Sequence, residues 1–148
     1  SALDTFRSLD HGWGVASTLA DLGAVARQRG DRAAAGRLHR ESLASFLRLG
    51  HRRGIARQLE SLACLAAEEG QGERGIRLAA AAAALRERVG APPSPAVQVE
   101  LERALAALQR LLGPERARAT WREGAALPLE DAARLAASGE EAYGVAAR

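Results

Sequence analysis

The chain has 148 residues, a formal net charge of +3 and a pI near 10.3, long enough for one domain with its own core and no need of disulfides or metals to staple it. Ala, Leu, Arg and Glu dominate and aromatic residues make up 3%; such residues lose little side-chain freedom in a helix, so the composition excludes a β-rich fold. The basic residues are all Arg, interspersed with 18 acidic ones rather than gathered in blocks, which argues against a dedicated nucleic-acid surface.

Residues 1–9, with Leu3, Phe6 and Leu9, resemble Leu43, Phe46 and Leu49 further on and read as the tail of a preceding helix, so that the chain begins inside a repeat. From there the sequence matches itself at an offset of 40. Leu9, His11, Gly14, Leu19, Leu22, Ala26 and Gly30 meet Leu49, His51, Gly54, Leu59, Leu62, Ala66 and Gly70, and 13 of 42 aligned pairs are identical, where this composition gives roughly 4 by chance. Residues 10–50 and 51–90 are therefore two copies of one unit.

Each unit opens with helically spaced apolar residues, Val15, Leu19, Leu22 and Ala26 in one and Ile55, Leu59, Leu62 and Ala66 in the other. Gly30 supplies the left-handed residue that ends a helix, and Asp31 caps the next. Second helices are expected over about 32–49 and 72–89. The unit is a helical hairpin that cannot bury its apolar face alone. His11 and His51 stand at equivalent positions, which predicts a shared turn role.

Residues 91–138 read as capping helices. Pro92 and Pro93 stop the repeat. Ser94 and Pro95 open a helix with the stripe Val97, Leu101, Leu105, Leu108 and Leu112, expected to pack on the last hairpin. Gly113 and Pro114 begin another through Trp121, and Pro128, Glu130 and Asp131 begin a last short one through Ala137. Residues 139–148 have little apolar content and are expected to fray.

Little in the sequence suggests catalysis. A phosphate-binding loop needs a Lys that the chain does not have. His11, His39 and His51 are too dispersed for a metal pair, and no cofactor is expected. Adjacent acids such as Glu68 with Glu69 point in different directions on a helix and read as solvated surface. Cys64, the lone cysteine, lies in an apolar run and reads as buried and inert; it permits no internal disulfide and fits a reducing, cytoplasmic setting. No stretch is apolar enough to span a bilayer.

The spacing of Leu19, Leu22, Gly23, Ala26, Gly30, Asp31, Ala35 and Ser42 resembles the packing and turn positions of tetratricopeptide repeats. The second unit departs, with Ala63, Gln71 and Gly75 at three of these places, and the period exceeds the family's usual length, as in a longer-helix variant. The resemblance covers about residues 9–90 and implies an all-α fold in which antiparallel hairpins stack as a right-handed solenoid. It also implies that the first helix of each hairpin lines a concave groove. Carrying the register over points Ser17, Ala20, Ala24, Arg27 and Gln28, then Arg57, Glu60, Cys64, Ala67 and Glu68, into that groove, where a protein or peptide segment is the expected partner.

The order of repeats, Pro-rich break and Leu-rich helix, followed by Trp121, Glu123, Gly124, Leu127, Glu130 and Ala132, is similar to the C-terminal end of large bacterial ATP-dependent transcriptional regulators. This implies a regulatory sensor or scaffold role. Two alternatives stay open: a homo-oligomer formed through the open first-repeat edge or the Leu101–Leu112 stripe, and nucleic-acid contact through Arg clusters. His51, Arg52 and Arg53, beside Arg57, are the candidate anion contact, with a solvated turn as the plainer reading.

Overall fold

The computed structural model describes residues 1–138, which form seven α-helices and no strand. They are α1 (Ala2–Gln28), α2 (Arg32–Leu49), α3 (Arg52–Glu68), α4 (Gly72–Val89), α5 (Pro95–Leu112), α6 (Pro114–Ala125) and α7 (Leu129–Ala137). The protein is all-α over the described residues. The expected fraying of residues 139–148 lies outside them.

The helix ends follow from local chemistry. Asp31 accepts from the Ala34 amide at 3.0 Å to start α2, and Ser94 accepts from the Val97 amide at 3.4 Å to start α5 with Pro95 in its first turn. Gly30, Gly50, Gly70 and Gly90 recur every 20 residues, all with positive φ (81°, 65°, 72° and 65°), and this left-handed geometry lets each loop turn the chain back. α2 and α4 have bounds 40 residues apart. α6 runs one turn beyond Trp121, to Ala125.

α1 packs chiefly on α2 and α3 on α4, giving two helical hairpins joined through α2 and α3; α5 lies on α3 and α4, while α6 and α7 rest mainly on α4. The core is built from Leu43, Phe46, Ile55, Leu59, Leu62, Leu65, Leu78 and Leu85, and Ala132 and Ala136 of α7 belong to it. Leu101 and Leu108 of the α5 stripe are buried, and Val97, Leu105 and Leu112 are partly so. Trp121 and Leu127 pack against the same core, and Glu123 pairs Arg77 at 2.7 Å.

Two expectations for α1 are corrected. No turn separates residues 1–9 from the first unit. α1 is continuous through His11, and Ser1 starts it in a capping box with Asp4. Asp10 stands where the second unit has Gly50, so the left-handed residue that breaks the chain at the α2–α3 turn has no counterpart. The expected apolar stripe is also only half right: Leu19 and Ala26 are partly buried, whereas Val15 and Leu22 are exposed. Ala16 and Gly23 face α2, with the Ser42 hydroxyl donating to the Ala16 carbonyl at 2.7 Å. Val15, Leu22 and Val25, by contrast, are 41%, 50% and 41% exposed, whereas their counterparts Ile55, Leu62 and Leu65 are 2%, 3% and 3% exposed. α3 has α2 on its second flank; no described helix covers that flank of α1.

Candidate functional site

The junction of α1, α3 and α5 gathers three of the sequence-predicted charges, Arg27, Arg57 and Glu68. Arg27, in the last turn of α1, donates to Glu68 on α3 at 2.8 Å and also to Glu100 on α5. Glu68 takes a second, longer contact from Arg32 at 3.4 Å. Arg57 on α3 stands 3.6 Å from Glu100. Burial works against ionising Glu100, but the Arg27 hydrogen bond and charge, with the charge of Arg57, outweigh it and hold the carboxyl below its ordinary range. Burial likewise opposes the Arg27 charge, and hydrogen bonds to Glu68 and Glu100 reverse the balance and raise its pKa.

Arg27, Cys64, Ala67 and Glu68 line one open cleft of about 400 Å³. Its other wall is α5, through Ala96, Val99, Glu100, Arg103, Ala104 and Ala107. Ala67, Ala96, Ala104 and Ala107 keep part of the wall small, so another backbone can approach closely there, and Val99 and Arg103 are exposed at its edge. Cys64 is the floor. Burial pushes its thiol up to about 12 and keeps it protonated, with the Glu100 charge adding to the effect, conditions under which a thiolate nucleophile does not form.

Other predicted groove residues sit elsewhere. Ser17 and Ala20 are half-buried on α1, and Ala24 and Gln28 are exposed; none of the four lines the cleft. Glu60 is a correction: it is 1% exposed and turned towards α4, where it accepts from Arg86 at 2.7 and 2.9 Å. A buried carboxylate in bidentate contact with a largely covered guanidinium is not free for a ligand in the groove.

The candidate anion contact separates too. His51 caps α3, its Nδ1 accepting from the Gly54 amide at 2.9 Å while its ring lies 5.2 Å from that of Phe46. That ring nitrogen is occupied by the fold. The shared turn role holds for His51 and not for His11, which lies inside α1. Arg52 and Arg53 are exposed.

Sequence reasoning missed Glu100, Val99 and Arg103. Glu100 sits one position before the buried stripe residue Leu101, and no local spacing tells that it faces Arg27, 73 positions away. Among the described residues no group of three or more His, Cys, Asp or Glu side chains is placed to hold a metal ion, and no helix is long and apolar enough to cross a membrane.

Comparison with protein-family models, with curated proteins and with solved structures gave no match.

Proposed function

We propose that this chain is a non-catalytic interaction module, a tetratricopeptide-like right-handed stack of hairpins that holds a segment of a partner protein in the cleft between α1, α3 and α5. The observation that carries the reading is the convergence of Arg27, Cys64, Ala67 and Glu68 with α5 on one open cleft walled by small and charged side chains. An extended or helical segment lies against the small side chains, an apolar residue covers Val99, and an acidic group pairs Arg103. Arg27, Glu68, Glu100 and Arg57 hold the three helices in register and set the edge of the seat. The 40-residue recurrence of helices and left-handed glycines supports the stacked architecture. In this reading the module is the sensor or scaffold part of a larger bacterial regulator.

The test replaces exposed groups and leaves the ion-pair junction intact. Val99→Asp with Arg103→Glu is expected to lower retention of a partner captured by the wild-type chain by about tenfold or more, as loss of an apolar contact and a charged one does. The same partner is expected to bind normally to Arg118→Glu, whose side chain is exposed on α6. Equal capture by all three proteins overturns the assignment of the cleft.

Self-association is a second reading, favoured by the bare flank of α1. Val15, Leu22 and Val25 are apolar and uncovered, whereas α2 covers the same positions of α3. Light scattering separates the readings: a mass that rises with concentration in the wild type and stays monomeric in Val15→Glu with Leu22→Glu assigns that flank to self-association.

A further inference from the structure

α5 and α6 both rest on α4 and meet each other less than either meets it, which leaves an open groove between them. Leu105 and Ala106 of α5 form one wall, Ala117 and Trp121 of α6 the other, and Ile76 of α4, 1% exposed, the floor. The groove has a volume of about 800 Å³ and shares no lining residue with the cleft between α1, α3 and α5. Gly113 and Pro114, which join the two helices, also line it, so it is closed at the turn as well as below. Such a shape seats one end of a small molecule better than a protein segment that must run through and out again. Size and apolar walls are those of a small-molecule site.

Its charge is of one sign. Arg110, Arg118 and Arg122 are in the lining and no acidic residue is. All three arginines are exposed, and none makes an ion pair among the described residues. Arg118 and Arg122 stand four positions apart on α6 and so share a face, where their charges repel. The nearest acid in sequence, Glu123, is engaged on the other side of α6 by Arg77 at 2.7 Å. Apolar walls under guanidinium groups that have no carboxylate select an occupant with both characters: oxygens that two guanidinium groups can grip, and a hydrocarbon body that displaces water from the walls.

We propose that the groove between α5 and α6 binds a small organic anion with an apolar body, such as a medium-chain carboxylate. Its oxygens pair Arg118 and Arg122, and its hydrocarbon lies between Leu105, Ala117 and Trp121 over Ile76. Arg110 adds a third positive charge from α5. This inference goes beyond the partner proposed for the α1, α3 and α5 cleft and does not depend on it.

Trp121 reports on the groove directly. The chain has two Trp, so Trp13→Phe leaves Trp121 as the sole one. Titrating that variant of the full chain with sodium decanoate is expected to shift the Trp121 emission to the blue, saturably, with a single molecule bound per chain. Octanoate, two methylenes shorter, should bind about tenfold more weakly. Arg118→Glu with Arg122→Glu should weaken decanoate binding by about tenfold or more, whereas Arg118→Lys with Arg122→Lys should keep part of it. Arg7→Glu with Arg37→Glu changes the net charge equally on exposed residues outside the groove and should leave the affinity within about twofold. Ala106→Phe fills the groove with every arginine in place and should also cost about tenfold or more. The absence of a saturable shift, equal losses from the two charge reversals, or undiminished binding by Ala106→Phe overturns the proposal. A shift produced by phosphatidylglycerol vesicles and not by decanoate also overturns it and makes a membrane surface the occupant.

Discussion

The Glu60 carboxylate lies out of water against Arg86, and the pair is stable because both N–H groups meet both oxygens. At the corresponding positions of the first hairpin stand Ala20 and Phe46. Glu60→Ala leaves the largely covered Arg86 guanidinium with the Ala91 carbonyl and no carboxylate, and urea denaturation is expected to show a loss of up to about 3 kcal/mol. The double change Glu60→Ala with Arg86→Phe copies the first hairpin and should recover most of that loss, since a well-packed apolar pair replaces a buried ionic one at little cost. The groove register could not reveal this pair. Spacing along one helix puts Glu60 near the face of Arg57 and Cys64, but its direction is decided by a residue on the next helix.

His39 gives a pH signature. Its ring is buried, with Nδ1 2.8 Å from the Gln58 amide oxygen. Burial is the main cause that lowers its pKa, the charges of Arg57 and Arg27 add to it, and the Gln58 contact opposes it. The unfolded chain therefore binds a proton that the folded chain refuses as pH falls below about 6.5. Stability is expected to fall with decreasing pH in that window, at up to about 1.4 kcal/mol per pH unit, until His39 titrates in the folded chain. Thermal melts between pH 7 and pH 5 measure the slope, and His39→Gln should flatten it.

Among the elements, α6 comes closest to α4 at Gly124. A Cβ there lies 2.5 Å from the Arg77 carbonyl oxygen and 2.7 Å from its Cα, both backbone atoms that cannot swing aside. Gly124→Ala is expected to cost about 1–3 kcal/mol or more by prising α6 from α4. Gly36 is the contrast. It lies inside α2, and the nearest atoms a Cβ there meets belong to the flexible Arg40 guanidinium, at 3.1 Å and beyond. Gly36→Ala should leave stability unchanged or raise it by up to about 1 kcal/mol through helix propensity. Chemical denaturation of the two variants side by side checks both signs.

The bounds of α2, α4, α5 and α7 were legible because each has a local stop or start: Gly30 with Asp31, Gly70, Gly90, Ser94 with Pro95, and Pro128. α1 was not, because the repeat suggested a turn at Asp10 that only a left-handed residue would make. Its buried face was misread for a different reason. Periodicity says that Val15 and Leu22 share a stripe, but whether another helix covers that stripe is a property of the assembly.

At the scale of the whole molecule, the repeat placed two hairpins in sequence but did not tell that α5 would complete the cleft. Cys64, Ala67 and Glu68 were legible as one face of α3 because they follow a helical register, whereas Arg27, on α1, joined them only through the resemblance to tetratricopeptide repeats. Glu100, Val99 and Arg103 were not, because α5 lies beyond the Pro92–Pro93 break and carries no repeat signal. The carboxylates of the cleft are held by Arg27 and Arg57.

The most direct measurement is amide hydrogen exchange of the full chain, free and saturated with a partner that it captures. The account predicts new protection centred on residues 64–68 of α3 and 96–107 of α5, and its loss in Val99→Asp with Arg103→Glu. Protection confined to the bare flank of α1, with the cleft exchanging as in the free chain, contradicts it.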